Sequence, residues 1–359
     1  MITLKILAAP RKSIYSELFP FFRWKNQLLD AGIKVEIFHD ARDKKLRGAD
    51  RLIIQSKYYA RGWQQMNSRT QKNELELIEF LNGIKKDTEK LIWSDQSALS
   101  GSFDFPIINY VDTFAVKQKL KDISYYSDPY GNKNARIWLN AEMDHPQQNF
   151  VACPRDQLHK ITLGWSTGYN DFRDFRHRLS FLSNYIGYNL YPLKVYKPSV
   201  SRPLDTSYRG NAKYEDVAEL ENQRNSVLKV LERLSSTYKI LKGAKISKSV
   251  YRKELSNLKV SISPFGYGEV CYRDFESFIA GTLVIKPSME HLETFPDVYI
   301  PNETYIPILW DCSDLEAKFA DVIENYSSYV EVAKNGQDRF LNTVNNPQCF
   351  INAVKGIIN

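Results

Sequence analysis

The sequence predicts an α/β protein of two domains, each a parallel sheet wound with crossover helices. Strand-like and helix-like segments alternate over the first hundred residues and again from about residue 204 onward. Between these stretches runs YPLKVYKPSVSRP, whose three prolines suit an extended linker and cannot sustain a helix. The length of 359 residues exceeds what one core usually serves.

Each element follows from its local pattern. ITLKILAAP is apolar and β-like, SELFPFFRWKNQLLDAG carries apolar residues at helical spacing until Gly32, and IKVEIFHD alternates as a strand does. ADRLIIQS, NELELIEFLNGIKK and EKLIWSD then read as strand, helix and strand. Regularity fades between Ser97 and Tyr196, which reads as the rest of the first domain with long loops. Past the linker, LDTSYRGN is a strand and glycine turn, ELENQRNSVLKVLERLSS an amphipathic helix, YKILKG a strand and SKSVYRKELSNLK a helix. VSISPFG, DFESFIAG and TLVIKP repeat strand, helix, strand, and the remainder from Ser313 is mostly helical. The expected domains are residues 1–195, 196–340 and a C-terminal helix, 341–359, that packs back on the first domain.

Composition narrows the class. No apolar run approaches the ~18 residues needed to cross a bilayer, and MITLKILAAP lacks the long apolar region of a signal peptide, so a cytoplasmic protein is expected. Cys153, Cys271, Cys312 and Cys349 are scattered, without CxxC or metal-ligand spacing, and read as reduced thiols. A formal charge of +7 favours polyanionic neighbours: nucleotide phosphates, nucleic acid or, peripherally, an anionic membrane.

The densest chemistry lies in SPFGYGEVCYRDFESFIAG, between two strand-like runs. In a parallel sheet, ligands bind where strand ends lead into helix N-termini. Gly266 and Gly268 let backbone approach a ligand, with Tyr267 and Glu269 beside them; Arg273 offers a fixed fork for a diphosphate, and Glu276 accepts from a ribose diol. Gly281 closes the helix. The bland reading is a glycine turn before any α/β helix, with Glu276 favouring the positive helix end.

RDFESFIAGTLVIKP resembles the C-terminal signature of GT-B glycosyltransferases, in the branch that reads R-x-F-E-x4-G. Its arginine falls on Arg273, its aromatic on Phe275, its glutamate on Glu276 and its glycine on Gly281. The resemblance implies two Rossmann-like domains facing across a cleft, a nucleotide-sugar donor, Glu276 as ribose ligand and Arg273 as phosphate contact. Retaining relatives carry a further glutamate eight positions earlier; here that position is Gly268, with Glu269 beside it, so the pattern departs. LDTSYRGN resembles the first strand and turn of the donor domain, placing Arg209 and Gly210 at the cleft, and YIPILWDCSDLEAKF resembles a late strand and helix start. The similarity covers residues 200–340.

Such a transfer needs positive groups for the leaving diphosphate and a base for the acceptor hydroxyl. Without a DxD-type acidic pair, no metal or other cofactor is expected. Asp95, at the strand end of LIWSDQS, is the first choice for the base; Asp112, Asp128 and His159 are rivals, each also readable as a cap, turn or solvated residue. His291, in SMEHLET, either edges the donor cleft or packs. Arg173, Arg176 and Arg178, and Lys117, Lys119 and Lys121, bind an anionic acceptor or form solvated faces. The expected function is transfer from a nucleotide-diphosphate sugar to a carbohydrate or lipid-linked glycan acceptor in surface glycan synthesis. The alternatives are a DNA acceptor, a non-catalytic nucleotide or sugar-binding module, and a nucleotide-sugar epimerase.

Overall fold

The computed structural model describes residues 1–10, 16–60, 63, 68–128, 151–175, 177–209, 218–243 and 246–359. In the first domain, β1 (Ile2–Leu7) is followed by helices α1 (Phe19–Arg23) and α2 (Lys25–Asp30), then β2 (Ile33–Phe38) and β3 (Ala49–Gln55). Next come α3 (Gln71–Lys85), β4 (Thr88–Ser94), β5 (Thr113–Val116), β6 (Gln118–Leu120) and β7 (Ile161–Leu163). Six of these strands form one parallel sheet in the order β2-β1-β3-β4-β5-β7.

The helices follow from capping and spacing. Thr70 caps α3 by accepting from Asn73 N at 3.2 Å, and Leu77, Leu81 and Ile84 form its buried stripe. The single helix expected over SELFPFFRWKNQLLDAG is instead two, because Trp24 leaves helical geometry at φ −109° and ψ 24°.

The second domain holds β8 (Thr206–Tyr208), α4 (Ala218–Leu234), β9 (Ile240–Lys242), α5 (Lys248–Leu255), β10 (Val260–Ile262), α6 (Tyr272–Ile279) and β11 (Leu283–Pro287). It continues with β12 (Leu292–Thr294), β13 (Ile306–Ile308) and α7 (Leu315–Glu324). β8 pairs with β9, β10 with β11, and β11 with β13, all parallel. Lys259 N to Leu204 O at 2.8 Å and Val260 N to Asp205 O at 3.0 Å join the two groups. The resulting order, β9-β8-β10-β11-β13, winds as β2-β1-β3-β4-β5 does. Each sheet therefore has a switch point beside its first strand, where a crevice opens at the carboxyl ends.

Several features of the described residues join the domains. The linker crosses at Gly281, whose φ of +63° and approach to the linker exclude a side chain: a Cβ there would lie 2.5 Å from Tyr196 O and 2.6 Å from Pro198 N. KQKLKD is not a solvated face: its β6 pairs antiparallel with β12 of the second domain, and Lys119 meets Glu293 at 3.1 Å. After α8 (Tyr326–Asn345), helix α9 (Pro347–Ile358) lies on the first domain, with Phe350 5.2 Å from the rings of Phe21 and Trp165. Among the described residues no helix is long and apolar enough to cross a membrane.

Candidate active site

Helix α6 presents two faces. Phe275, Phe278 and Ile279 are buried, while Arg273 and Glu276, three residues apart, lie together on another side. Asp274 fixes the start of the helix by accepting from Cys271 N at 3.1 Å. Arg273 and Glu276 line a cavity of about 570 Å³ at the β8–β10 switch point, together with Ser207, Arg209, Arg224, Lys248, Tyr251 and Cys271. Arg273 Nη1 donates to Ile262 O at 3.2 Å, and its guanidinium lies 5.5 Å from the centre of the Tyr208 ring. Arg209 is braced by a two-pronged contact to Glu254, at 3.0 and 2.7 Å.

The Glu276 carboxylate accepts no hydrogen bond from the side chains or backbone of the described residues. Burial raises its pKa above the ordinary carboxylate value, against the pull of Lys248, Arg252 and Arg273. An acceptor-only group held beside cations in an open cavity suits a diol attached to an anion. Glu276 also borders a second cavity, of about 730 Å³, under the linker residues Tyr191 to Lys194.

The glycine-rich loop faces two ways. Gly266 borders the cavity side, where a Cβ would lie 3.8 Å from Arg224 Nη2, and Tyr267 is exposed. Gly268 and Glu269, expected to cradle the donor, turn to the first domain. A Cβ on Gly268 would sit 1.4 Å from Ala98 O, and the buried Glu269 carboxylate accepts from Ser100 Oγ and Gln118 Nε2, both at 2.6 Å. Their local sequence could not show this, because the partners lie about 150 to 170 residues away. Gly210 lies outside the described residues.

On the first domain, Asp95 directly follows β4 at the carboxyl end of the sheet. It accepts from Ser97 N at 2.8 Å and Ser97 Oγ at 3.2 Å, and burial raises its pKa. Beside it, Glu17 meets Lys57 at 2.5 Å and Lys117 at 3.4 Å. Burial opposes ionisation of Glu17, but the two ammonium groups prevail and hold its pKa at about 2; burial lowers that of Lys117 to about 8. Sequence reading missed Glu17 and Lys57, which only the sheet brings to Lys117.

Asp112 lies at the opposite end, just before β5, where Lys85 Nζ at 2.7 Å and Leu91 N at 2.8 Å occupy its oxygens. His159 precedes β7 at that same end and is exposed. Asp128 closes a turn onto Tyr125 O. Neither Asp112 nor His159 borders the crevice, because each precedes its strand. Arg173 is not a solvated cation: it is buried, and its Nη2 pairs with Asp171 at 2.8 Å. Arg176 and the side chain of Arg178 lie outside the described residues.

His291 packs edge-on to Trp310 at 4.9 Å, and neither buried ring nitrogen has a hydrogen-bond partner among the described residues. It does not line the cavity at Arg273 and Glu276. Among the described residues no three His, Cys, Asp or Glu side chains gather as a metal site.

No protein-family model matches the chain. No curated protein matches it in sequence. Solved structures do. An α-glucosyltransferase in complex with UDP is similar over 100% of both chains, with a TM-score of 0.50 and 9% identity. An α-glucosyltransferase in complex with UDP and a 13-mer DNA containing an HMU base gives 0.50 and 10%, again over 100% of both chains. T4 phage BGT in complex with its UDP-glucose substrate gives 0.49 and 12% over 100% of both. The first two are likenesses of fold, and with the topology above they show that this chain has the GT-B fold, two Rossmann-like domains facing across a cleft.

Proposed function

We propose that this chain is a glycosyltransferase that takes a sugar from a nucleoside diphosphate held at α6. The observation that carries the reading is the Glu276 carboxylate, without a hydrogen-bond partner among the described residues, on the same face of α6 as Arg273 and in a cavity with Arg209, Arg224 and Lys248. In this reading Glu276 accepts from the ribose hydroxyls and Arg273 holds the diphosphate. The neighbouring cations stabilise the charge that develops on the leaving diphosphate as the glycosidic bond breaks. The complexes of the fold relatives with UDP favour a uridine donor.

Asp95 is the base that takes the acceptor's proton. Its position at the strand end and its raised pKa suit that task, since a weaker acid leaves a stronger base. A carbohydrate hydroxyl is the acceptor in the first reading. A hydroxylated base in DNA is the second, supported by the +7 charge and by the DNA-bound fold relative. A DNA acceptor predicts a steep loss of affinity with salt as phosphate contacts release counterions, whereas a neutral glycan predicts little.

The test is a thermal-shift panel of UDP, GDP, ADP, CMP and TDP on the parent and on Glu276→Ala. Ligand at about 100 times its Kd adds roughly 2.7 kcal/mol of stability. One nucleotide that stabilises the parent and not the variant supports the donor site. No shift with any nucleotide sinks it, and binding without turnover of any sugar nucleotide favours a non-catalytic module.

A further inference from the structure

The loop that opens α6 and the loop that follows β4 belong to different domains, yet they are tied together by buried polar contacts. Glu269, Ser100 and Gln118 are all buried. Glu269 Oε1 accepts from Ser100 Oγ, and Oε2 from Gln118 Nε2, each at 2.6 Å. The orientation of the Gln118 amide is fixed independently: its Oε1 accepts from Val270 N at 3.2 Å and its Nε2 also donates to Ala98 O at 3.0 Å. Gly268 lets the two backbones approach, since any side chain there would strike Ala98 O.

The tie reaches both halves of the proposed chemistry. On one side, Asp95 is held by Ser97, at the root of the loop that ends in Ser100 and Ser102. On the other, Glu269 stands two residues before Cys271, the cap of the helix that carries Arg273 and Glu276. A carboxylate is costly to bury, and its hydrogen bonds must offset that cost; an apolar side chain of similar length would fill the space without it. What the apolar residue lacks is direction, because only acceptors at both ends fix two partners at once.

We infer that Glu269 is a positioning residue, whose buried carboxylate holds the loop after β4, with Asp95 at its root, in register with the donor-side helix α6. Its consequence for turnover rests on the glycosyltransferase reading; the coupling between the loops does not.

The test compares the full chain with Glu269→Met, which keeps the length and accepts nothing, and Glu269→Gln, which accepts from Gln118 and donates to the Ser100 hydroxyl. Amide hydrogen exchange is followed without any ligand. Glu269→Met is expected to speed exchange in residues 96–104 by about tenfold or more, with β1 and β3 unchanged and Glu269→Gln near the parent. Ser100→Ala, approached from the other domain, gives a smaller change in the same segment and serves if Glu269→Met does not fold.

Release of UDP from UDP-glucose then separates roles. Positioning predicts that kcat falls about tenfold while KM for the sugar nucleotide stays within about threefold. Parent-like exchange in 96–104 in both Glu269→Met and Ser100→Ala overturns the inference. So does faster exchange across the whole chain in Glu269→Met and Glu269→Gln alike, or a rise in KM with kcat unchanged. If the parent itself releases no UDP, it is the UDP-glucose reading that fails, and the exchange measurement still decides the coupling.

Discussion

Lys286 and Asp274 form an ion pair of 3.1 Å in which both side chains are fully buried, at the first turn of the helix that carries Arg273 and Glu276. Asp274 also accepts from Cys271 N, Ser263 Oγ and Tyr299 Oη, so one carboxylate ties the start of α6 to β10, β11 and the segment at Tyr299. The two partners are therefore not equivalent. Lys286→Met leaves Asp274 with three donors, whereas Asp274→Ala leaves a buried ammonium without its ion-pair partner. Asp274→Ala should cost about 3–5 kcal/mol in urea unfolding and Lys286→Met distinctly less. Equal losses would refute this asymmetry.

Gly268→Ala tests the packing between the domains. A Cβ 1.4 Å from Ala98 O forces the two loops apart, and neither is the end of a flexible side chain. Destabilisation of about 3 kcal/mol is expected from such overpacking. A variant as stable as the parent would mean that the loops separate without cost.

The pH profile should carry the signature of His291. Burial, then Lys121 and Lys286, lower its pKa from 6.5 to about 4. The folded chain keeps the ring neutral where the unfolded chain protonates it, so this contribution is complete above pH 6.5 and is lost as pH falls toward 4. His291→Phe should flatten the fall in stability across that window, by up to about 3 kcal/mol. Parallel curves for the two proteins would show that the ring is solvated.

Glu276 has the opposite sign from a stabilising carboxylate. Because burial raises its pKa in the folded chain, ionisation costs stability as pH rises through the ordinary carboxylate value and up to the folded one. Glu276→Gln should melt higher than the parent at neutral pH, with the advantage vanishing in acid, while losing its response to UDP. A binding group that weakens the empty fold is a common cost of function. Lower melting of Glu276→Gln at neutral pH would show that the three cations need the charge.

Asp95→Asn should leave the thermal shift with UDP intact and reduce turnover by about 10²–10⁴-fold, the range for loss of a general base. Equal loss in Asp112→Asn, which lies at the far end of the sheet, would argue against the assignment of Asp95.

The periodicities of the chain by themselves determined two wound sheets, the linker between them and a helix over DFESFIAG, which in the structure runs from Tyr272 to Ile279 and so puts Arg273 on one face with Glu276. All of these rest on spacings within a turn or a strand, which local sterics and burial enforce. The end of the sheet on which a carboxylate falls was also local: Asp95 follows β4 and Asp112 precedes β5. Only the tertiary structure decided that Gly268 and Glu269 face the first domain, that Glu17 meets both Lys57 and Lys117, and that KQKLKD pairs with β12. These contacts join residues 40 to 174 positions apart. A side chain's partner at that range is set by how strands are ordered within a sheet, how the two sheets pack and how the linker docks, and no local spacing encodes it.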